Sequence, residues 1–352
     1  MSHVLAESQK ELDDIRILLA KNLPSYRQAY SDRTCWIMAC LSELAYLRFN
    51  PLFSKEQQKE YFLESIEKLI GKKRKNALVK LIDLVAYDPD AKRKQLKEDL
   101  GLLNMQLEET FDNDGTQAIL VSTDKYLVLS FRGTEAKSIK DIKADARAKL
   151  VACDSGGKVH FGFKHAYGKV GLKIQDEINL TKYSGKPLFI TGHSLGGALA
   201  TIAAKKLSHE AGIAACYTFG SPRVGNEDWI WGIKTSLYRL VNAADCVTML
   251  PPGSDMVTIF SWLAQFIPYV GLGVRKYLQS NVGGYMHGGD MRYLTNCRQG
   301  EFQNVRLLYS VTLFRRIKGL IIRSLPWKHF LADHSIKVYR KKLEVIAHVR
   351  NP

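Results

Sequence analysis

A serine between a predicted strand and a predicted helix constrains this chain more than any other feature. Residues 192–200 read GHSLGGALA, which contains the pattern G-x-S-x-G around Ser194. The apolar run at residues 187–191 predicts a buried strand before the serine, and residues 198–204 are rich in helix formers. Glycine is needed on both sides of such a serine because a Cβ would clash in so sharp a turn. The pattern therefore predicts an α/β fold whose turn presents the Ser194 hydroxyl as a nucleophile.

The same pattern also occurs in ordinary glycine-rich turns between a strand and a helix, so its context matters. Gly197 and the alanines that follow it allow the helix to pack closely on the sheet. The N-terminus of that helix would then direct partial positive charge toward a developing oxyanion. This context favours a catalytic serine over a structural turn.

A serine hydroxyl is a weak nucleophile at neutral pH, so Ser194 requires a histidine base and a carboxylate that orients the histidine. With this turn, the acid and then the histidine follow the serine along the chain. Residues 238–247 predict a strand with Asp245 just past its C-terminal end, where the acid of such a site belongs. The other acidic residues in this part of the chain remain alternatives: Glu227, Asp228, Asp255, Asp290, Glu301 and Asp333.

Four histidines follow Asp245 in the chain, and they are His287, His329, His334 and His348. His334 immediately precedes an apolar pattern with helical spacing, formed by Ile336, Tyr339, Leu343 and Ile346. A loop before this helix would hold His334 where it can reach back to the serine. The spacing favours His334 as the base without excluding the others.

Further motifs occur in order along the chain. They are FRGT at 131–134, HFGF at 160–163, the serine motif at 192–200, TFGSPRVGN at 218–226, DCVTMLPP at 245–252, HGGDMRYL at 287–294 and DHS at 333–335. On these residues the chain resembles the class 3 (fungal-type) lipases of the α/β-hydrolase superfamily, including their bacterial and plant phospholipase-like relatives. The resemblance covers about residues 105–348 and a helix near residues 26–47.

The resemblance implies an α/β-hydrolase fold, with a mostly parallel central sheet flanked by helices. It also implies roles for three residues: Ser194 as nucleophile, Asp245 as orienting acid and His334 as general base. The oxyanion hole would consist of the backbone N–H groups of Thr134 and Leu195, with the Thr134 hydroxyl as a further donor. Such donors stabilise the tetrahedral intermediate of acyl transfer.

The implied activity is that of a carboxylic ester hydrolase of the triacylglycerol lipase or phospholipase A type. It would cleave acyl esters of a glycerolipid or phospholipid through an acyl-serine, with no cofactor and no metal. His193 is expected to pack into the sheet, because the residue before such a serine points away from the active site. His287 belongs to a different motif and is interpreted as structural. The alternative is a non-enzymatic lipid- or partner-binding protein on a lipase fold.

The chain is predicted to be one enlarged domain, residues 1–352, with two insertions. The first, at 54–104, is polar and helical, and is interpreted as a solvated helix pair or a binding module. The second, at 254–282, lies between acid and histidine, and its residues 256–274 carry no charge. Proline and glycine interrupt this stretch, so it predicts a flap or interfacial segment over the acyl groove, or a buried core insertion, rather than a span. The family's usual lid region, 135–145, is polar here.

The formal charge of +16 and a basic C-terminal region favour peripheral contact with an anionic membrane. The basic residues of that region include Arg315, Arg316, Lys318, Arg323, Lys328, Lys337, Arg340, Lys341 and Lys342. A basic surface that only keeps the protein soluble is the alternative, and no motif supports nucleic-acid binding. Six cysteines without metal-ligand spacing, and an N-terminus without a signal-peptide core, predict a cytoplasmic or peripheral-membrane protein, with any secretion signal-independent. The oligomeric state is not predicted.

Overall fold

A computed structural model describes residues 3–20, 28–47, 88–133, 149–243, 245–253, 284–297, 300–312 and 332–350. Its strands are β1 (Gln106–Asn113), β2 (Thr116–Ser122), β3 (Leu127–Phe131), β4 (Leu150–Ala152), β5 (Lys158–His160), β6 (Leu188–His193), β7 (Ile213–Phe219), β8 (Leu237–Asn242), β9 (Asp290–Leu294) and β10 (Leu307–Leu308). Its helices are α1 (Gln9–Ala20), α2 (Asp32–Leu44), α3 (Pro89–Leu102), α4 (Phe161–Gly168), α5 (Gly171–Ile178), α6 (Leu195–Lys206), α7 (Glu227–Trp231) and α8 (Ile336–Arg350).

Within these ranges, eight strands form one sheet in the order β1-β2-β3-β6-β7-β8-β9-β10, and β4 pairs separately with β5. Strands β3, β6, β7, β8 and β9 run parallel to one another, whereas β1, β2 and β10 pair antiparallel at the two edges. Every residue of β3, β6 and β8 is buried, as expected of strands covered on both faces. The prediction of a mostly parallel sheet flanked by helices is therefore confirmed.

Helices cover the two faces of the sheet with separate hydrophobic cores. Ile119 and Val121 of β2 belong to a core with residues of α1, α2, α3 and α8. The alternate residues Ala118 and Leu120 belong to a second core with residues of α4, α5, α6 and α7. This division follows from the two-residue period of a strand, which directs successive side chains to opposite faces.

The elements that carry the predicted site converge at one edge of the sheet. Strand β6 ends at His193 and β8 ends at Asn242, so Ser194 and Asp245 follow the carboxyl ends of two parallel strands that lie on either side of β7. Open α/β sheets place their ligand sites at this edge. Helix α8 begins two residues after His334 and packs against α2, which in turn packs against β6.

Only part of the two predicted insertions lies within the described residues. Of residues 54–104, the described part contains α3, which is helical as predicted but is not simply solvated. Asp99 of α3 is fully buried, and its carboxylate accepts the backbone N–H groups of Val4 and Leu5 at 3.1 Å. The flap-like insertion at 254–282 and the lid region at 135–145 lie outside the described residues. No helix in the described ranges has the length and hydropathy needed to span a membrane.

Candidate active site

Ser194 lies at the sharp turn that the sequence predicts. It precedes the first residue of α6 and has φ 57° and ψ −127°, a conformation that a non-glycine residue rarely adopts. A Cβ on Gly192 would overlap the backbone of Gly196, and a Cβ on Gly196 would overlap the carbonyl oxygen of Phe131. The two glycines therefore allow the turn to form against β3, with the serine held in strain.

The structure brings Ser194, His334 and Asp245 together. The Nε2 atom of His334 lies 2.9 Å from Ser194 Oγ, and its Nδ1 lies 3.0 and 2.9 Å from the two carboxylate oxygens of Asp245. All three residues are buried. In this geometry Nδ1–H donates to the carboxylate, which leaves Nε2 to accept the proton of the serine hydroxyl.

Asp245 is held by two donors besides His334. The backbone N–H of Val247 donates to Oδ1 at 3.0 Å, and the hydroxyl of Tyr339 donates to Oδ2 at 2.7 Å. Burial and the charge of Asp245 hold the pKa of Tyr339 well above its usual value, so the hydroxyl stays protonated as a donor. The same hydroxyl accepts the backbone N–H of Asn242 at 2.9 Å. These contacts fix the orientation of the carboxylate toward His334.

A second set of contacts anchors the loop that carries His334. Asn242 donates its side-chain N–H to the carbonyl oxygen of Asp333 at 2.8 Å. Lys342 donates to Asn242 Oδ1 at 2.7 Å and to the carbonyl oxygen of Thr295 at 2.9 Å. These anchoring residues were missed from the sequence, where Lys342 was interpreted as part of a basic surface.

Four residues of the predicted basic cluster lie within the described residues, and they are Lys337, Arg340, Lys341 and Lys342. Each is engaged inside the chain. Arg340 pairs with Glu43 of α2 at 2.5 Å, and Lys341 pairs with Glu11 of α1 at 3.1 Å. Lys337 pairs with Glu7 at 2.5 Å, and Lys342 is buried. For Arg340 and Lys342, the interpretation as exposed surface charge was wrong, because both side chains are buried. Lys337 and Lys341 stay partly exposed and pair with acids of the N-terminal segment. The other five lie outside the described residues.

His193 differs from its expected role in one respect. Its Nδ1 lies 2.7 Å from the Tyr46 hydroxyl, its Nε2 lies 2.6 Å from the carbonyl oxygen of His334, and the two histidine rings are 4.5 Å apart. Both ring nitrogens are engaged away from Ser194, so the side chain is not placed as a second base. Burial and the neighbouring His334 lower its pKa well below the usual value. His193 thus contacts His334 directly instead of only packing into the sheet.

The remaining predicted residues are placed as follows. Leu195 is the first residue of α6, where a backbone N–H has no acceptor within its own helix. Thr134, the second predicted oxyanion donor, lies outside the described residues. His287 directs Nε2 to the carbonyl oxygen of Thr248 at 2.6 Å, on the segment that follows Asp245.

Arg223, within the motif at residues 218–226, has a structural role. Its guanidinium donates to the carbonyl oxygens of Met249 and, at 2.7 Å, Pro251, so it holds the segment that follows Asp245.

All six cysteines lie in the described part of the chain, and each is a free thiol. Among the described residues, no group of three histidine, cysteine or carboxylate side chains is arranged to hold a metal.

The parallel sheet and the strained serine between β6 and α6 together define a class. The protein has the α/β-hydrolase fold. The residue range 128–255 matches the model of the lipase (class 3) family. This part of the chain is therefore similar to the class 3 lipases. His334 lies beyond the matched range, so its place in the site comes from the geometry alone.

Similar proteins include lipases and a phospholipase. Secreted mono- and diacylglycerol lipase 1 of Fusarium solani is 35% identical over 230 residues, which are 61% of this chain and 65% of that protein. The chloroplastic phospholipase A(1) DAD1 of Arabidopsis thaliana is 32% identical over 36% of this chain and 33% of its own length. The chain thus spans less than two thirds of either relative. The crystal structure of the lipase from Rhizopus microsporus var. chinensis is similar at 23% identity and a TM-score of 0.48, over 80% of this chain and 87% of that one.

Proposed function

We propose that this chain is a serine carboxylic ester hydrolase that cleaves acyl esters of glycerolipids. One observation carries the proposal. The His334 ring bridges Ser194 Oγ and the Asp245 carboxylate with hydrogen bonds of 2.9 to 3.0 Å. This arrangement activates a serine by general-base catalysis, which a protein that only binds lipid does not need.

The proposed reaction proceeds through an acyl-serine. Ser194 Oγ attacks the ester carbonyl carbon while His334 Nε2 takes the hydroxyl proton, and Asp245 stabilises the imidazolium that forms. The oxyanion accepts a hydrogen bond from the backbone N–H of Leu195, and we assign the second donor to Thr134. His334 then gives its proton to the leaving alcohol as the ester C–O bond breaks. Water attacks the acyl-serine with the same proton transfers and releases the fatty acid.

The substrate class is a glycerolipid, and either a neutral glyceride or a phospholipid fits the proposed chemistry. The relatives are named as mono- and diacylglycerol lipase and as phospholipase A1, which supports both options. The net charge of +16 favours an anionic phospholipid surface over a neutral droplet. We therefore propose peripheral contact with an anionic membrane, at a cytoplasmic or membrane-peripheral location.

Fatty-acid release tests the activity. The wild type, Ser194→Ala and the control Ser184→Ala are compared on soluble short-chain esters, neutral glycerides and anionic phospholipid vesicles. Ser184 is an exposed residue outside the site. We expect Ser194→Ala to lower the rate by at least about 10³-fold and Ser184→Ala to leave it unchanged. Equal release by wild type and Ser194→Ala contradicts the serine mechanism and favours the non-enzymatic binding protein.

Vesicle flotation tests the membrane proposal separately. We expect the wild type to float with vesicles that contain an anionic phospholipid and to remain behind with purely zwitterionic vesicles. Binding should weaken as the salt concentration rises, because exposed charges are screened. Deletion of residues 256–274 is expected to reduce flotation. Undiminished flotation of this deletion variant assigns membrane contact to another part of the chain.

A further inference from the structure

Two side chains connect the end of α2 to the backbone of His334. Tyr46 lies two residues after α2, and its hydroxyl is 2.7 Å from Nδ1 of His193. His193 is the last residue of β6, and its Nε2 is 2.6 Å from the carbonyl oxygen of His334. The connection therefore runs from Tyr46 through His193 to His334, on the side of the histidine away from Asp245.

The proton positions along this connection follow from the acceptor at its end. A carbonyl oxygen only accepts, so Nε2 of His193 carries the proton that is donated to His334. In a neutral imidazole the other nitrogen is then an acceptor, and Nδ1 receives the hydroxyl proton of Tyr46. The lowered pKa of His193 agrees with this neutral form. The carbonyl oxygen of His334 therefore fixes the proton on Nε2 of His193, and the free Nδ1 then fixes Tyr46 as a donor.

Neutrality of His193 matters because its ring centroid lies 4.5 Å from that of His334. In the proposed reaction His334 becomes positively charged, and a second cation at this distance would repel it. A neutral ring avoids that repulsion and still holds the His334 carbonyl by a hydrogen bond. Catalysis depends on such restraint, because a displacement of about 1 Å of a reacting group can cost about 10²-fold in rate.

We propose that Tyr46 and His193 are a pair of positioning residues that hold the backbone of His334 where its Nε2 reaches Ser194 Oγ. The inference rests on the proposed ester hydrolysis. It adds two residues that do not touch the substrate and act through His334. The Tyr46 hydroxyl also packs against Gly133, since a Cβ there would overlap it. Tyr46 therefore also contacts the segment that follows β3.

Kinetics of three variants test the pair on a soluble short-chain ester. His193→Ala removes the connection, His193→Gln retains a donor near the Nε2 position, and Tyr46→Phe removes only the hydroxyl. Tyr126→Phe is the control, because Tyr126 is a buried tyrosine packed against Phe189 on β6, away from the triad. We expect kcat to fall about 10²-fold in His193→Ala and about 10-fold in Tyr46→Phe. The KM of both variants should stay within about two-fold of the wild-type value. His193→Gln should recover most of the lost kcat.

Two results would overturn the pair as positioning residues. One is a kcat in His193→Ala and Tyr46→Phe no lower than in Tyr126→Phe. The other is a His193→Gln variant no more active than His193→Ala at equal thermal stability, which would mean that the donor at this position does not matter.

A measurement without turnover separates this inference from the proposed function. The Nδ1 proton of His334, bonded to Asp245, gives a downfield proton NMR signal that His334→Gln removes. We expect the signal to broaden or disappear in His193→Ala and to persist in Tyr126→Phe. An unchanged signal in His193→Ala contradicts the pair even if the chain hydrolyses esters. If His193→Ala loses the signal but the wild type shows no turnover that depends on Ser194, only the proposed function is contradicted.

Discussion

The hydroxyl of Tyr339 donates a 2.7 Å hydrogen bond to Asp245 while it accepts the backbone N–H of Asn242. A residue on helix α8 thus connects the proposed catalytic acid to the end of strand β8. Because α8 begins just after His334, the same helix sets the position of both the acid and the histidine. This dual contact makes Tyr339 a residue whose loss affects stability and activity together.

We expect Tyr339→Phe to lower the free energy of unfolding by about 1 to 3 kcal/mol, because it leaves the buried N–H of Asn242 without its acceptor. We also expect kcat/KM to fall about 10-fold, because Asp245 loses a donor. Urea unfolding and ester kinetics measure the two effects. Tyr285→Phe is the matched control, since the buried Tyr285 hydroxyl has no hydrogen-bond partner among the described residues. Equal effects of the two variants would contradict the assigned role.

Substitution of the histidines separately tests the base. We expect His334→Gln to lower kcat by at least about 10³-fold, because no other group accepts the Ser194 proton at 2.9 Å among the described residues. His287→Gln should have a much smaller effect, since His287 contacts only the segment after Asp245 in the site. Steady-state kinetics on a soluble ester distinguish the two. A comparable loss in both variants would mean that His334 is not the specific base.

Gly220 is predicted to tolerate no side chain for two separable reasons. Its φ of +57° strains any other residue, and a Cβ would lie 2.7 Å from Asp245 Oδ2 and 3.0 Å from the His334 ring. Gly156, with a φ of +85° and open space around it, shares only the strain. We expect both Gly→Ala variants to lose about 1 kcal/mol of stability from strain, and only Gly220→Ala to lose about 10²-fold in kcat. An active Gly220→Ala enzyme would contradict the close packing of the acid and histidine.

Glu344 of α8 predicts a pH dependence of stability. Burial raises its pKa to about 7, against the opposing effect of Arg340 at 3.5 Å. The folded state therefore binds the proton more tightly than the unfolded state, whose value is near 4.5. Proton binding to Glu344 therefore stabilises the folded state by about 3 kcal/mol in total. This stabilisation is fully present below about pH 4.5 and is lost as the pH rises through about 7.

The Glu344→Gln variant removes this titration. We expect it to be more stable than the wild type at pH 8, with the difference shrinking at pH 5, when urea unfolding is measured at both values. Glu210→Gln, an exposed substitution, serves as the control. A stability difference between Glu344→Gln and wild type that does not change with pH would contradict the raised pKa.

Much of the site could be predicted from short stretches of sequence. The turn at Ser194, the strand before Asp245 and the helix after His334 each depend on local periodicity and on glycines where a Cβ cannot fit. Strand β1 has no comparable signature, because its exposed and half-buried polar residues mask the alternation. The described part of the predicted 54–104 insertion illustrates the same limit, since the buried carboxylate of Asp99 was indistinguishable from a surface acid.

The sequence alone determined the strained nucleophile turn, the order of the proposed triad and the resemblance to an α/β-hydrolase fold. Only the tertiary structure decided which side chains support the triad. Tyr46 meets His193 across 147 positions of the chain, and His193 meets His334 across 141. Arg340, which looked like surface charge, is buried against Glu43 of α2. Such contacts depend on how distant helices pack on the sheet, and no local pattern of residues encodes that packing.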